Sequence, residues 1–198
     1  MRLRVPGRRL LAPAGRVALI CVAVAIGGGL QWLDDHDEFE HRPYPVAGAM
    51  GRPARARTFD LTVLAERGAS KIESDHRPHD TGGVWVLVLV RVAGRDRPVK
   101  VQYAAVRDGA GNLYRASDRV AQPILDGRVV QPGVPVEGEI AFEVPAAAAQ
   151  RLTLLVDQDS IEHRMGTELS IALPRNTAQT VRDWQSAGAG PTTLAGSR

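Results

Sequence analysis

The segment from Gly83 to Val92, GVWVLVLVRV, restricts this chain more than any other stretch. At the period of two that a strand imposes, Val84, Val86, Val88, Val90 and Val92 share one face, and Trp85, Leu87 and Leu89 share the other. A strand in a two-layered antiparallel fold needs only one apolar face. Here the second face must also be covered, by another part of the chain or by a partner protein. Trp85, Leu87 and Leu89 are therefore the candidate partner surface.

The same period recurs between residues 57 and 174. TFDLTVL alternates Phe59, Leu61 and Val63 against Thr58, Asp60 and Thr62, and VEGEIAFEV alternates apolar positions against Glu137, Glu139 and Glu143. Further runs are PVKVQYAAVR (98–107), LTLLV (152–156) and ELSIAL (168–173), with short strands expected at NLYRA and KIES. AGRDRP, DGAGN and QPGVP supply turn chemistry between them. PAAAAQ (145–150) is the only helix-compatible piece, worth about one turn. About seven short strands with almost no helix predict an antiparallel β-sandwich. The flanks read differently. Residues 34–56 are acidic and then rich in Pro and Gly, which predicts a stiff stalk. Residues 175–198 are small and polar, which predicts a disordered tail in which only Trp184 is suited to dock.

The order GVWVLVLVRVAGRDRPV, RDGAGNLYRAS, VQPGVPVEGEIAFEVP and RLTLLV resembles a family of Ig-like domains of unknown function. These occur on actinobacterial and firmicute membrane-anchored or secreted proteins, and are similar to the mycobacterial immunoprotective extracellular antigen. The likeness covers roughly residues 57–174, and its most specific piece is the Asp-Gly…Asn-Leu-Tyr turn. It implies an Ig-like fold, an extracytoplasmic address and a binding role, and it transfers no catalytic residue.

The first 33 residues fix the expected address. Arg2, Arg4, Arg8, Arg9 and Arg16 precede an apolar run, and the first acid is Asp34. Val17 to Leu30 is apolar or glycine throughout, and Gln31, Trp32 and Leu33 extend it to roughly 25 Å of helix. Arginines before the run and acids after it place residues 1–16 in the cytoplasm and residues 34–198 outside. Arg16 and Trp32 fall at the two membrane interfaces. Ile20 before Cys21 argues against a lipoprotein. Ala23-Val24-Ala25 imitates a signal-peptidase site, but cleavage there follows a core of only about eight residues. The expectation is an uncleaved signal anchor over 17–33, with a secreted, cleaved chain as the alternative.

Removing the five leading arginines from 25 Lys and Arg leaves 20 against 22 acids, so the remainder is not a nucleic-acid-type basic surface. The lone Cys21 excludes an intrachain disulfide and a cysteine metal site. Three clusters merit chemistry. His76 and His79 with Asp75 and Asp80 have zinc-like spacing, yet a loop before a strand supplies the same residues. Residues 157–162 space Asp157, Asp159 and Glu162 like half a calcium loop without its glycine. Glu137 and Glu139 stand about 6.5–7 Å apart on one strand face, as an inverting glycosidase pair does, and as a solvated strand does. Arg91, Arg95, Arg97 and Lys100 crowd one hairpin end and suit anionic lipid or envelope polymer. No catalytic residue, cofactor or metal is assigned. The expected protein is a non-enzymatic, membrane-anchored module that recognises a membrane-protein or envelope partner, with an envelope hydrolase as the rival reading.

Overall fold

A computed structural model describes residues 45–158, 167–187 and 190–191. The expected anchor, with Arg16 and Trp32, lies outside them. Among the described residues no helix is long and apolar enough to cross a membrane.

The alternating segments pair into two sheets. One holds β1 (Val46–Ala49), β5 (Tyr103–Asp108), β6 (Leu113–Arg115), β8 (Leu152–Asp157) and β9 (Leu169–Ala172), in the order β1-β9-β8-β5-β6. The other holds β3 (Phe59–Ser74), β4 (Arg77–Gly94), β7 (Val136–Val144) and β10 (Gly190–Pro191), in the order β10-β3-β4-β7, with β2 (Ala54–Arg55) on β3. Pairing is antiparallel except for β1 with β9 and β10 with β3. The result is a β-sandwich with more strands than the seven expected, and its sheets are mixed. The five valines of β4 are wholly buried and join Val106, Leu154, Val156 and Ile171 of the facing sheet in one core.

Four local expectations differ from the structure. Within the segment read as stalk, residues 46–49 and 54–55 form β1 and β2; alanine and glycine have weak strand preference, and pairing with β9 and β3 overrides it. KIES continues β3 rather than forming its own strand. PAAAAQ makes turns, Ala148 N–H donating to Pro145 O at 2.9 Å, and the helix lies elsewhere. That helix, α1 (Ala178–Ser186), sits inside the segment read as a disordered tail. Its apolar residues are few, and nine residues form no stable helix alone, so docking decides. The Thr177 hydroxyl caps it by accepting from Thr180 N–H at 3.0 Å, and Val181 is buried.

What α1 docks against follows from a parity slip. Val63 pairs with Val90 but Ala65 pairs with Leu89, so Leu64 is an inserted residue. Before it, Phe59, Leu61 and Val63 point inward; after it, Glu66 and Gly68 oppose the inward Val88 and Val86. Trp184 of α1 fills the space left by Gly68, where an added Cβ would meet the indole at 2.1 Å. The slip also turns a carboxylate inward. Glu66 Oε1 accepts from Asn176 Nδ2 at 3.0 Å, Asn176 also holds Ala149 O, and Glu66 Oε2 has no partner among the described residues.

Burial pushes the Glu66 carboxyl up to about 7, with the Asn176 hydrogen bond opposing it. A raised carboxyl favours the folded state when protonated, so this stability is full below about 4.5 and is lost as pH rises through 7. Glu66→Gln should leave stability near pH 4.5 almost unchanged and raise it by about 1–3 kcal/mol at pH 8, discounting for partial exposure. Denaturant titrations across that range check it; parallel pH profiles for the two proteins would contradict it.

Candidate functional site: a groove at the rim of the sandwich

The second face of β4 is covered from within. Trp85 and Leu87 are 0% exposed and form a small outer core with Ala69, Ile72, Ala141 and Val120. The Trp85 indole N–H donates to His79 O at 2.9 Å, and Arg119 lies 5.7 Å over its ring. Trp85 and Leu87 therefore present no docking surface, which corrects that expectation; Leu89 alone is partly exposed. The cover is the segment joining β6 to β7, which the sequence left as an unassigned connection.

Gln122 holds that segment in place. It is buried, its Nε2 donates to Ser117 O (2.9 Å) and Ala141 O (3.0 Å), and its Oε1 accepts from Ala141 N–H at 3.1 Å. One side chain thus satisfies both backbone groups of a residue on the edge strand β7, which blunts that edge. Gln122 N–H in turn donates to Asp126 Oδ2 at 2.6 Å, closing a tight turn.

Charges order the outer face beside this cover. Arg67 grips Glu139 through two bonds, Nε to Oε1 at 2.7 Å and Nη2 to Oε2 at 2.8 Å, and the contact raises the Arg67 pKa. Arg91 pairs with Glu137, Nε to Oε1 at 2.6 Å. Glu143 accepts from Arg119 Nη1 at 2.7 Å and from the Ser117 hydroxyl at 2.9 Å. Glu137 and Glu139 do share a face, but each carboxylate is bound to its own arginine. Both ion pairs tie β7 to its neighbouring strands, Glu139 to β3 and Glu137 to β4.

The groove opens where the cover leaves the other sheet. Asp108 sets this up by ordering the β5–β6 turn: its Oδ1 accepts from Ala110 and Asn112 N–H at 2.8 and 2.9 Å, and its Oδ2 from Asn112 Nδ2 and the Tyr114 hydroxyl. The resulting register pairs Ala105 with Arg115, so Arg115 lies diagonal to Tyr103 and its guanidinium sits 5.4 Å over that ring. Tyr103, Arg115, Ser117, Asp118, Leu125 and Asp126 bound a hollow of about 470 Å³. A neighbouring hollow of about 440 Å³ shares Arg115, Ser117 and Asp118 and reaches Glu143. One aromatic face, one guanidinium and two carboxylates suit a polar ligand bearing both donors and acceptors. None of these residues was singled out in the sequence. The ordered Asp-Gly…Asn-Leu-Tyr turn was the available signal, because it fixes which side chains of β5 and β6 meet.

The remaining candidates are separated. Asp75 and His76 form the two-residue β3–β4 turn, with φ of 51° and 61°, while His79 lies on β4 opposite Ile72. Asp80 is taken by Lys71 at 2.9 Å. Among the described residues no group of three or more His, Cys, Asp or Glu could hold a metal. Asp157 is buried with its Oδ1 accepting from Gln158 N–H; residues 159–162 lie outside the described residues.

No protein-family model and no curated protein matches the chain. Two solved structures are similar. The secreted protein MPT63 of Mycobacterium tuberculosis is 17% identical with a TM-score of 0.49, over 66% of this chain and 98% of that one. An uncharacterised β-sandwich protein of Clostridium difficile is 9% identical with a TM-score of 0.44, over 67% and 95%.

Replacing Gln122 by Ala should loosen the cover segment on β7 and cost about 1–3 kcal/mol, since the Ala141 N–H loses its acceptor while Ala141 O keeps the Ser117 N–H at 2.9 Å. Hydrogen exchange at Ala141 should accelerate and arginine no longer shield Trp85. Unchanged exchange there would contradict the pinning role.

Proposed function

We propose that the chain is a single-pass membrane protein presenting one Ig-like module on the extracytoplasmic side, where the module binds a protein or envelope partner without catalysis. The strand order supports the Ig-like reading: β3, β4 and β7 stand as strands A, B and E, and β9, β8, β5 and β6 as G, F, C and C′. The observation that carries the binding role is the rim groove, an open polar hollow with Tyr103 and Arg115 as its anchors. Aromatic and arginine side chains dominate binding energy at protein interfaces. The anchor rests on the charge step around 17–33. Holding the module at the membrane raises its effective concentration for co-embedded partners. The Glu137 and Glu139 ion pairs weigh against an envelope hydrolase.

A secreted form is the second reading, favoured by Ala23-Val24-Ala25. Mass spectrometry of the exported chain separates the two: the intact mass from Met1 to Arg198 supports the anchor, and a loss of about 2.5 kDa supports cleavage. For the groove, a photo-crosslinker at Asp118 in intact cells should capture a defined partner. Tyr103→Ala with Arg115→Ala should lower that yield about tenfold while the thermal midpoint holds. An undiminished yield would remove the groove from the proposal.

A further inference from the structure

The end of the sandwich at which the described chain begins is rich in arginines that lack acidic partners. Val46 N–H donates to Glu168 O at 2.9 Å, and Glu168 precedes β9, whose Leu169 pairs with Val156. One residue beyond Val156 and Asp157, Gln158 meets the Thr58 hydroxyl at 2.5 Å. Thr58 O accepts from Arg95 N–H at 3.0 Å, and the Arg95 guanidinium reaches Ala56 O at 3.3 Å. Bonded neighbours therefore lead from the entry point at Val46 to the turns that carry Arg55, Arg57, Arg95 and Arg97.

All four arginines are exposed, and Arg57 and Arg97 flank a hollow of about 310 Å³. Arg67, Arg91 and Arg119 on the outer face each hold a glutamate. Among the described residues none of the four has a carboxylate within ion-pairing distance. The acids nearby are Asp96, exposed in the same hollow, Asp60 and Glu168, both half-buried, and Asp157, buried beside Gln158.

We propose that this end rests on an anionic lipid surface, with Arg55, Arg57, Arg95 and Arg97 meeting the headgroup charges. The inference rests on the anchored reading above. Residues 34–44 separate the apolar run from the described chain, a reach of at most about 40 Å. A tether of that length delivers the end bearing Val46 to the membrane, and that end carries the charge complementary to anionic lipid. Juxtamembrane cations each strengthen such contact about fivefold, within a Debye length of about 8 Å.

The test uses the full chain reconstituted into vesicles of phosphatidylcholine alone or with about 30% phosphatidylglycerol. Hydrogen exchange at residues 55–58 and 94–98 should slow at least about fivefold in the anionic vesicles and recover in about 0.5 M salt, while the turn at 109–112 is unaffected. Arg57→Glu with Arg97→Glu should abolish the protection, and Arg57→Gln with Arg97→Gln should reduce it, both with an unchanged thermal midpoint. Equal exchange in the two lipids, or protection that survives both variants, would overturn the proposal. Flotation separates the two readings. A chain that fails to float with phosphatidylcholine defeats the anchor, and arginine-dependent flotation with the anionic vesicles would still support the basic contact.

Discussion

A single strand that is apolar on both faces sets the terms for this fold. β4 carries five valines inward and Trp85 and Leu87 outward, and all seven are fully buried. Each large side chain removed from water contributes about 1.5–3 kcal/mol, so neither face can be left open. The facing sheet covers the valines. The outer residues need a second cover, and the β6–β7 segment supplies it, with Val120 on the apolar patch and Gln122 pinned to Ala141. Covering the strand and closing the β7 edge are therefore one event.

The same cover makes the groove. Ser117 and Asp118 start the segment at the end of β6, next to Tyr103 and Arg115, so the rim hollow lies where cover and sheet diverge. The charges divide by role. Arginines on the outer face are spent on glutamates of β7, which holds β3, β4 and β7 in register. Arg115 instead stacks on Tyr103, and the arginines near Thr58 face outward. At another end of the core, the slip at Leu64 admits Trp184 over Gly68 and also brings in Glu66, which burial makes sensitive to pH.

Much of the sandwich was legible because alternation is a local signal. Phe59, Leu61 and Val63, the valines of β4 and the glutamates of β7 each declare a face within a few residues. The elements that went unread depend on distant partners. β1 and β2 are small residues that become strands only by pairing with β9 and β3. The helix α1 has two apolar residues on its docked side and needs Gly68, over one hundred positions away, to receive Trp184. The bulge at Leu64 reversed the parity of β3, so Glu66 could not be placed inside by counting. The groove was illegible for a similar reason. The need to cover Trp85 and Leu87 was visible, but the identity of the cover, and hence of the groove wall, was set by Gln122 reaching Ala141.

The account stands on the outer face of β4 being sealed by the chain itself. Thiol labelling tests that directly, in a full-length chain with Cys21→Ser and one new cysteine at Leu87→Cys or, as an exposed control, Leu113→Cys. Leu113 is 54% exposed and Leu87 is 0% exposed. The account predicts that the Leu87→Cys thiol reacts only as fast as the protein unfolds, while the control reacts at once. Labelling of both thiols at the same rate under native conditions would contradict it.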